Sequence, residues 1–394
     1  MTRKLIITAT DNKIISTIIE NDTITEIHPN DRAQKDDAPK LGSIFIGKVK
    51  NIIPNIRAAF IDIGQKQECY YALDQNLRPV FTTKKSVRRE LAIGDELLVQ
   101  IEKEAVSGKV PTVTSNLSFQ GKYAVLTVGI RKLGVSAKIG QERRCELLSW
   151  IEEYASDDYG IIVRTNARDI NRTVLDHEIR SLQGQCHNII TAAPTRTCYS
   201  CLHTAPAEYL TDIRNVYQEG LTEIVIEDHE LYHEVKEFLL DYQPEDVLKL
   251  HHYCDPTLPL HKLHSIETTL ANALKEKVWL KSGAYLVIQP TEALTVIDVN
   301  TGKAIAGKRS EGYLKFNLEA AQEAARQIRL RNISGIILID FINMSDKDHM
   351  EKLLNYLRNC LNTDPIPTTL VDVTKLQLVE ITRKKIRKPL RECV

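Results

Sequence analysis

Residues 294–300 read LTVIDVN and residues 335–344 read GIILIDFINM. Each is a run of β-forming apolar residues that reaches an aspartate, Asp298 in the first and Asp340 in the second. Between them, FNLEAAQEAARQIRLRN (316–332) has helical spacing. Leu318, Ala321, Ala325 and Ile328 fall on one stripe, Asn317 stands at the N-cap position, and Arg329 and Arg331 fall in the last turn. Strand, helix, strand predicts an α/β unit. If the two strands are neighbours, their C-terminal ends bring both carboxylates to one edge of a sheet, the edge where open α/β sheets bind ligands. Two hard oxygen ligands without His or Cys nearby suit Mg²⁺ or Mn²⁺. Asn300 projects to the same side as Asp298 and can position a water or a phosphate oxygen. Strand-end Asp residues also cap turns and helices, and the pattern alone leaves both readings open.

Working outward, KSGAYLVIQ (281–289) reads as a further strand, with a turn at Pro290-Thr291. The loop TGKAIAGKRSEGY (301–313) offers Lys303, Lys308 and Arg309 to phosphate, with Gly302, Gly307 and Gly312 permitting close backbone approach. Taken alone it reads equally as a surface loop. The C-terminal segment places Arg383, Lys384, Lys385, Arg387, Lys388 and Arg391 against Glu380 and Glu392. That excess fits a phosphate-tracking surface or a solvated tail.

Upstream, the first forty residues alternate apolar and polar positions and end in a polar linker at 30–40. The stretches GSIFIGKVKNIIPNIRAAFIDIG (42–64), QECYYAL (67–73) and IGDELLVQIEKEA (93–105) are short strands divided by turn residues, which predicts a small closed β-barrel. Phe45, Phe60, Tyr70 and Tyr71 interleave with Lys48, Lys50 and Arg57, as in barrels that stack single-stranded bases, while at least one of the four must fill the barrel core. YGIIVRT (159–165) ends on Arg164-Thr165, where a guanidinium fork and a hydroxyl can hold a terminal phosphate, although an exposed strand end is the plainer reading. Cys198-x-x-Cys201 with His203 resembles half a zinc site, and a single CxxC reads more readily as packing or loop thiols.

The chain has 394 residues with 52 Lys+Arg against 52 Asp+Glu, so its formal net charge is zero. Zero is a sum and does not exclude nucleic acid, because binding depends on where charge sits. Ordinary globular composition excludes wholesale disorder or a coiled coil. The opening MTRKLIITAT is interrupted by Asp11 and Lys13, too soon for a signal peptide, and no apolar run reaches membrane-span length. The expected compartment is the cytoplasm, where the eight Cys default to thiols or metal ligands.

In this order, GSIFIGKVKNIIPNIRAAFIDIG, YGIIVRT, YLTDIRNVYQEGLTEIVIED, WLKSGAYLVIQPTEALTVIDVNTGK, FNLEAAQEAARQIRLRNISGIILIDFINM and LQLVEITRKK resemble the ribonuclease E/G family, nearly end to end through its catalytic half. The resemblance implies an α+β multidomain chain. Its parts would be an RNase H-like subdomain split between 1–40 and 205–275, an inserted S1 barrel of the OB type at 41–115, a 5′-sensor region at 116–204, and a DNase I-like α/β catalytic subdomain at 276–394. By motif, Asp298 and Asp340 become Mg²⁺ ligands with Asn300 their companion, Gly121, Val125, Arg164 and Thr165 the 5′-monophosphate sensor, and Phe60, Tyr70 and Lys109 the S1 contacts to RNA. Tyr70 stands where the family has Phe, which keeps the stacking face.

The implied activity is Mg²⁺-dependent endonucleolytic cleavage of single-stranded RNA in RNA processing and decay, leaving 5′-phosphate and 3′-hydroxyl ends. The competing readings are a non-catalytic RNA-binding protein and a metal-dependent phosphoesterase acting on DNA. One departure stands out. After ITRKK the family usually carries a Cys pair that links two protomers through zinc, and here only Cys393 follows, without CPxC. A structural Zn²⁺ link is therefore not expected, while a homodimer stays open. With no long C-terminal scaffold, the chain sits closer to the shorter, G-type members.

Overall fold

The computed structural model describes residues 2–10, 12–32, 40–64, 67–76, 78–82, 91–105, 110–216, 219–302, 310–344 and 346–394, with backbone alone at 310–312. The chain divides into two compact units: Met1–Ala33 with Glu219–Val394, and Gln34–Gln218.

The chain opens with a meander of β1 (Arg3–Ala9), β2 (Lys13–Glu20) and β3 (Thr23–Asp31). Leu5, Ile6 and Ile7 are all fully buried, which marks β1 as a central strand covered on both faces.

The second unit then begins with β4 (Ile44–Ile53), β5 (Ala58–Asp62), β6 (Glu68–Ala72), β7 (Glu96–Lys103) and β8 (Thr112–Thr114). Among the described residues these run β4-β5-β6-β8-β7 and close through β4–β7 pairing, so the expected barrel is present. Its core alternates along the strands, with Ala59 and Ile61 facing in and Phe60 between them facing out. Next come β9 (Ser118–Gln120), β10 (Ala124–Val128), β11 (Leu133–Val135), α1 (Gln141–Glu152), β12 (Tyr159–Val163) and α2 (Arg172–Ala192). The strands form the sheet β11-β12-β10-β9, and Leu147 of α1 with Leu175, Ile179 and Leu182 of α2 bury against Leu126 and Ile161. Asn171 caps α2 by accepting a hydrogen bond from the Val174 amide. The CxxC segment leads into β13 (Cys201–His203), which adds to the barrel at β4, and α3 (Glu208–Asn215) follows.

The chain then returns to the first unit with β14 (Leu221–Ile226), α4 (His229–Tyr242) and β15 (Leu250–His252). Parallel pairing of β14 with β1 completes the sheet β15-β14-β1-β2-β3. Two short helices, α5 (Leu260–Leu263) and α6 (Ile266–Ala273), bury Leu260 and Ile266 against Ile6, Ile24 and Ile27. The remaining elements are β16 (Lys277–Trp279), β17 (Tyr285–Pro290), β18 (Leu294–Asn300), α7 (Ser310–Leu330), β19 (Gly335–Asp340), α8 (Lys347–Asn362), β20 (Thr368–Val373), β21 (Val379–Arg383) and α9 (Leu390–Cys393). Their strands run β16-β17-β18-β19-β21-β20, with β18 and β19 parallel. Ala320, Ala321, Ala324 and Ala325 are small enough to let α7 lie close on this sheet, where Ile297, Ile337 and Ile339 meet it.

One expectation about α7 is corrected. The helix starts at Ser310, so Gly312 is helical and Asn317 is fully buried in the helix interior instead of capping its start. Arg329 does fall in the last turn, where it is buried. It donates to Glu26 at 2.6 Å and to Glu20 at 3.0 Å, and Glu20 also accepts from Arg3 at 2.7 Å, all in the buried interior of this unit. Among the described residues no helix is long and apolar enough to cross a membrane.

Candidate active site

The parallel pairing of β18 with β19 places Asp298 directly opposite Asp340. Paired residues on adjacent strands project to one face, so the two carboxylates stand side by side with their Cα atoms about 5 Å apart. Alternation explains the facing. Ile297 and Val299 on β18, with Ile337 and Ile339 on β19, bury toward the helices, which turns Asp298 and Asp340 to the opposite face. Asn300 shares that face and donates from Nδ2 to Asp298 Oδ2 at 2.6 Å. Neither carboxylate has a basic partner among the described residues. Two like charges directly opposite repel each other, and a cation between them removes that cost.

The donor set fits a hard divalent ion: two carboxylates, an amide oxygen within reach, and no imidazole or thiolate. Among the described residues no group of three or more His, Cys, Asp or Glu assembles as a metal site. Two protein carboxylates with the remaining positions left to water and substrate is the arrangement Mg²⁺ prefers.

A further residue holds the pair in place, and its helical position concealed it. From inside α7, Asn317 donates from Nδ2 to the Ile342 carbonyl at 2.8 Å and accepts from the Ile342 amide at 3.0 Å. This amide-to-backbone clamp fixes the chain two residues beyond Asp340.

A model of the ribonuclease E/G family matches residues 118–386. The chain is similar to ribonuclease G of Escherichia coli, 31% identical over 99% of this chain and 81% of that protein. The chain belongs to the ribonuclease E/G family. It is also similar to ribonuclease G of Haemophilus influenzae, 29% identical over 98% of this chain and 80% of the relative, and to ribonuclease E of Synechocystis sp., 35% identical over 88% of this chain and 52% of that longer protein.

Within the ribonuclease E/G match, the structure brings Gly121, Val125, Arg164 and Thr165 together on β10 and β12 and the segments beside them. Arg164 donates from Nη1 to the Gly121 carbonyl at 2.6 Å and from Nη2 to Asn215 Oδ1 at 2.7 Å. Thr165 Oγ1 lies 2.8 Å from Ser136 Oγ, and Val125, half-buried, pairs with Ile162. Glu178 of α2 organises the cluster. Its carboxylate accepts from the amides of Lys122 at 3.0 Å, Tyr123 at 2.7 Å and Ala124 at 2.7 Å. Gly121 is glycine for want of room, because a Cβ there would lie 2.4 Å from Glu178 Oε1. Burial pushes the Glu178 carboxyl above its ordinary range, against the opposing pull of those amides and Arg164.

The barrel precedes the region that the ribonuclease E/G model matches. Phe60 and Tyr70 are register partners on its outer face, half-buried, in an edge-to-face contact with centroids 6.3 Å apart. Tyr71 is the aromatic that fills the core, its hydroxyl 2.9 Å from Ser115 Oγ and pushed by burial up to about 12. Lys50 pairs with Asp62 at 3.1 Å and Arg57 with Asp74 at 2.9 Å. Lys109, Lys303, Lys308 and Arg309 lie outside the described residues.

Arg383 requires a correction. It is 2% exposed, donates to Asp364 at 2.7 Å and to Asn332 at 2.7 Å, and so is a core ion-pair residue with no surface to track phosphate. Lys384 beside it is exposed. All eight cysteines are free thiols; Cys198 and Cys201 flank the turn into β13, and the Cys201 thiol donates to the His203 carbonyl at 3.4 Å.

Proposed function

We propose that this chain is an Mg²⁺-dependent endoribonuclease that hydrolyses single-stranded RNA, is stimulated by a 5′-monophosphate, and leaves 5′-phosphate and 3′-hydroxyl ends. The observation that carries this reading is the register pairing of Asp298 with Asp340 at the C-terminal ends of two parallel strands. Asp298 and Asp340 would hold Mg²⁺, or Mn²⁺ in its place. The bound ion supplies positive charge to the scissile phosphate and acidity to the attacking water. Asn300 orients Asp298 through its 2.6 Å hydrogen bond and offers its amide oxygen to a water or a substrate hydroxyl. Asn317 keeps the Asp340 strand end from drifting.

The other surfaces bind substrate. Phe60 and Tyr70 present ring faces for stacking bases, and Lys109 accompanies them by motif. The Arg164 guanidinium and Thr165 hydroxyl favour a 5′-monophosphate, since a fork and a hydroxyl match a small doubly charged terminus.

The test is cleavage of an end-labelled, 5′-monophosphorylated single-stranded RNA in Mg²⁺ and in chelator, by wild type and by Asp298→Asn. Wild type should cut in Mg²⁺ alone, and Asp298→Asn should bind the RNA without cutting it. Wild-type protein that binds RNA yet never cuts it in Mg²⁺ or Mn²⁺ would sink the enzyme reading. Preferential cutting of a DNA of the same sequence would overturn the substrate.

A further inference from the structure

The face that carries Asp298 and Asp340 continues to the edge strand of the same sheet. Trp279 pairs with Tyr285 and Lys277 with Val287; Tyr285 pairs with Asn300 and Val287 with Asp298. Two rows of side chains therefore cross one face: Trp279, Tyr285, Asn300, and Lys277, Val287, Asp298, Asp340. At an interstrand spacing of about 4.8 Å, Trp279 lies about 10 Å from Asn300. The helices pack on the opposite face, and Trp279 remains 61% exposed.

The Trp279 and Tyr285 ring centroids are 5.1 Å apart, and Lys277 Nζ lies 4.2 Å from the first and 3.5 Å from the second. An indole left this open contributes little to the core, and the ammonium over both rings adds positive charge to an aromatic patch. Tyr285 lies close to Gly302, where φ is +58° and a Cβ would sit 3.2 Å from Tyr285 Cδ1 and 2.6 Å from the Gly283 carbonyl. Glycine at 302 thus leaves room for the Tyr285 ring beside the segment that follows Asp298 and Asn300.

We infer that Lys277, Trp279 and Tyr285 form a base-stacking platform that positions a nucleotide of the RNA strand next to the scissile phosphate. The inference rests on the reading of Asp298 and Asp340 as an RNA-cleaving pair. Aromatic faces with an accompanying cation grip single-stranded nucleic acid without reading its sequence. The charge of Lys277 complements phosphate, and the platform is continuous with the carboxylates across one sheet face. Trp279 acts as a positioning residue, since it stands two strands away from Asn300.

The chain has two tryptophans, so Trp150→Phe leaves Trp279 as the sole tryptophan, read by exciting beyond the tyrosine absorption band. In an Asp298→Asn background that variant is titrated with single-stranded RNA, and with inorganic polyphosphate as the charge control. RNA should quench Trp279 emission and polyphosphate should not. RNA that binds, by anisotropy of a labelled strand, without altering Trp279 emission overturns the platform. In otherwise wild-type protein, Trp279→Ala should lower kcat/KM by about tenfold, mostly through KM, and Trp279→Phe should recover most of the loss. One abasic position near the cleavage site should cost wild type a similar factor and cost Trp279→Ala nothing more. Losses that simply multiply at every position also overturn it. Quenching by RNA in the Asp298→Asn background, with wild-type protein that never cleaves RNA in Mg²⁺, overturns the nuclease reading and leaves the platform standing. Cleavage at equal rates by wild type and Trp279→Ala overturns the platform alone.

Discussion

Asp298 and Asp340 are register partners, so each carboxylate is the other's nearest charged neighbour across the strands. Asp298→Asn or Asp340→Asn should relieve this repulsion and raise thermal stability in metal-free buffer by about 0.2–1 kcal/mol, while cleavage falls at least a hundredfold. The double variant should cut no worse than either single one, because the two groups act as a unit. Melting curves with and without Mg²⁺ check the first part: added Mg²⁺ should stabilise wild type and leave the double variant unmoved.

Asn317→Ala would strip both partners from the Ile342 backbone. We expect a stability loss of about 1–3 kcal/mol, since two part-buried backbone groups are left unpaired beside a fully buried side chain. The same change should lower kcat by up to about a hundredfold with KM nearly constant, through displacement of the strand end at Asp340. A rise in KM with kcat unchanged would assign Asn317 to substrate binding instead.

Gly121→Ala forces a Cβ against a carboxylate held by three backbone amides. Glu178 cannot yield without breaking those bonds, so the segment and Arg164 must shift. The expected outcome is that 5′-monophosphate and 5′-hydroxyl RNAs are cut at equal rates, with internal cleavage of circular RNA unchanged. Loss of all three activities together would point to misfolding of this unit.

Phe60→Ala removes an outward ring, and Tyr71→Phe removes a buried hydroxyl that meets Ser115. The first should weaken single-stranded RNA binding by about 1–3 kcal/mol with little change in melting temperature. The second should cost about 0.5–1.5 kcal/mol of stability and leave binding alone. Filter binding and calorimetry on the same pair of variants separate the two roles.

Burial works against the charge of Glu26, yet Arg329 at 2.6 Å, with His28, holds its carboxyl well below the usual range. A depressed carboxylate contributes stability that is present above its ordinary pKa of 4.5 and is lost as pH falls toward the folded value. Glu26→Gln should therefore flatten the acid limb of the stability profile below about pH 4.5 and cost about 3 kcal/mol near neutrality. Denaturant titrations from pH 3 to 7 measure both slopes.

The strand–helix–strand unit and the barrel could be read from hydrophobic period and turn spacing, because burial imposes those periods on the sequence itself. Register could not be read, since nothing local to LTVIDVN states which residue of GIILIDFINM it meets. The role of Asn317 is hidden for a related reason: in sequence, an amide that binds backbone three residues ahead looks the same as one that binds Ile342. The burial of Arg383 is hidden because charge along a sequence says nothing of burial, and its partner Asp364 stands 19 residues upstream. Trp279 carries no signal in the sequence because β16 has three residues, too few to display a period.

Parallel pairing joins β1 to β14, and the 185 residues from Gln34 to Gln218 intervene between the segments of that unit. On a ribosome adding about 5–20 residues each second, the meander of β1, β2 and β3 would wait roughly ten to forty seconds for its partner strand. Throughout that interval Leu5, Ile6 and Ile7 lack part of their cover, so birth of the chain, more than its finished stability, is where this protein is most open to wrong partners.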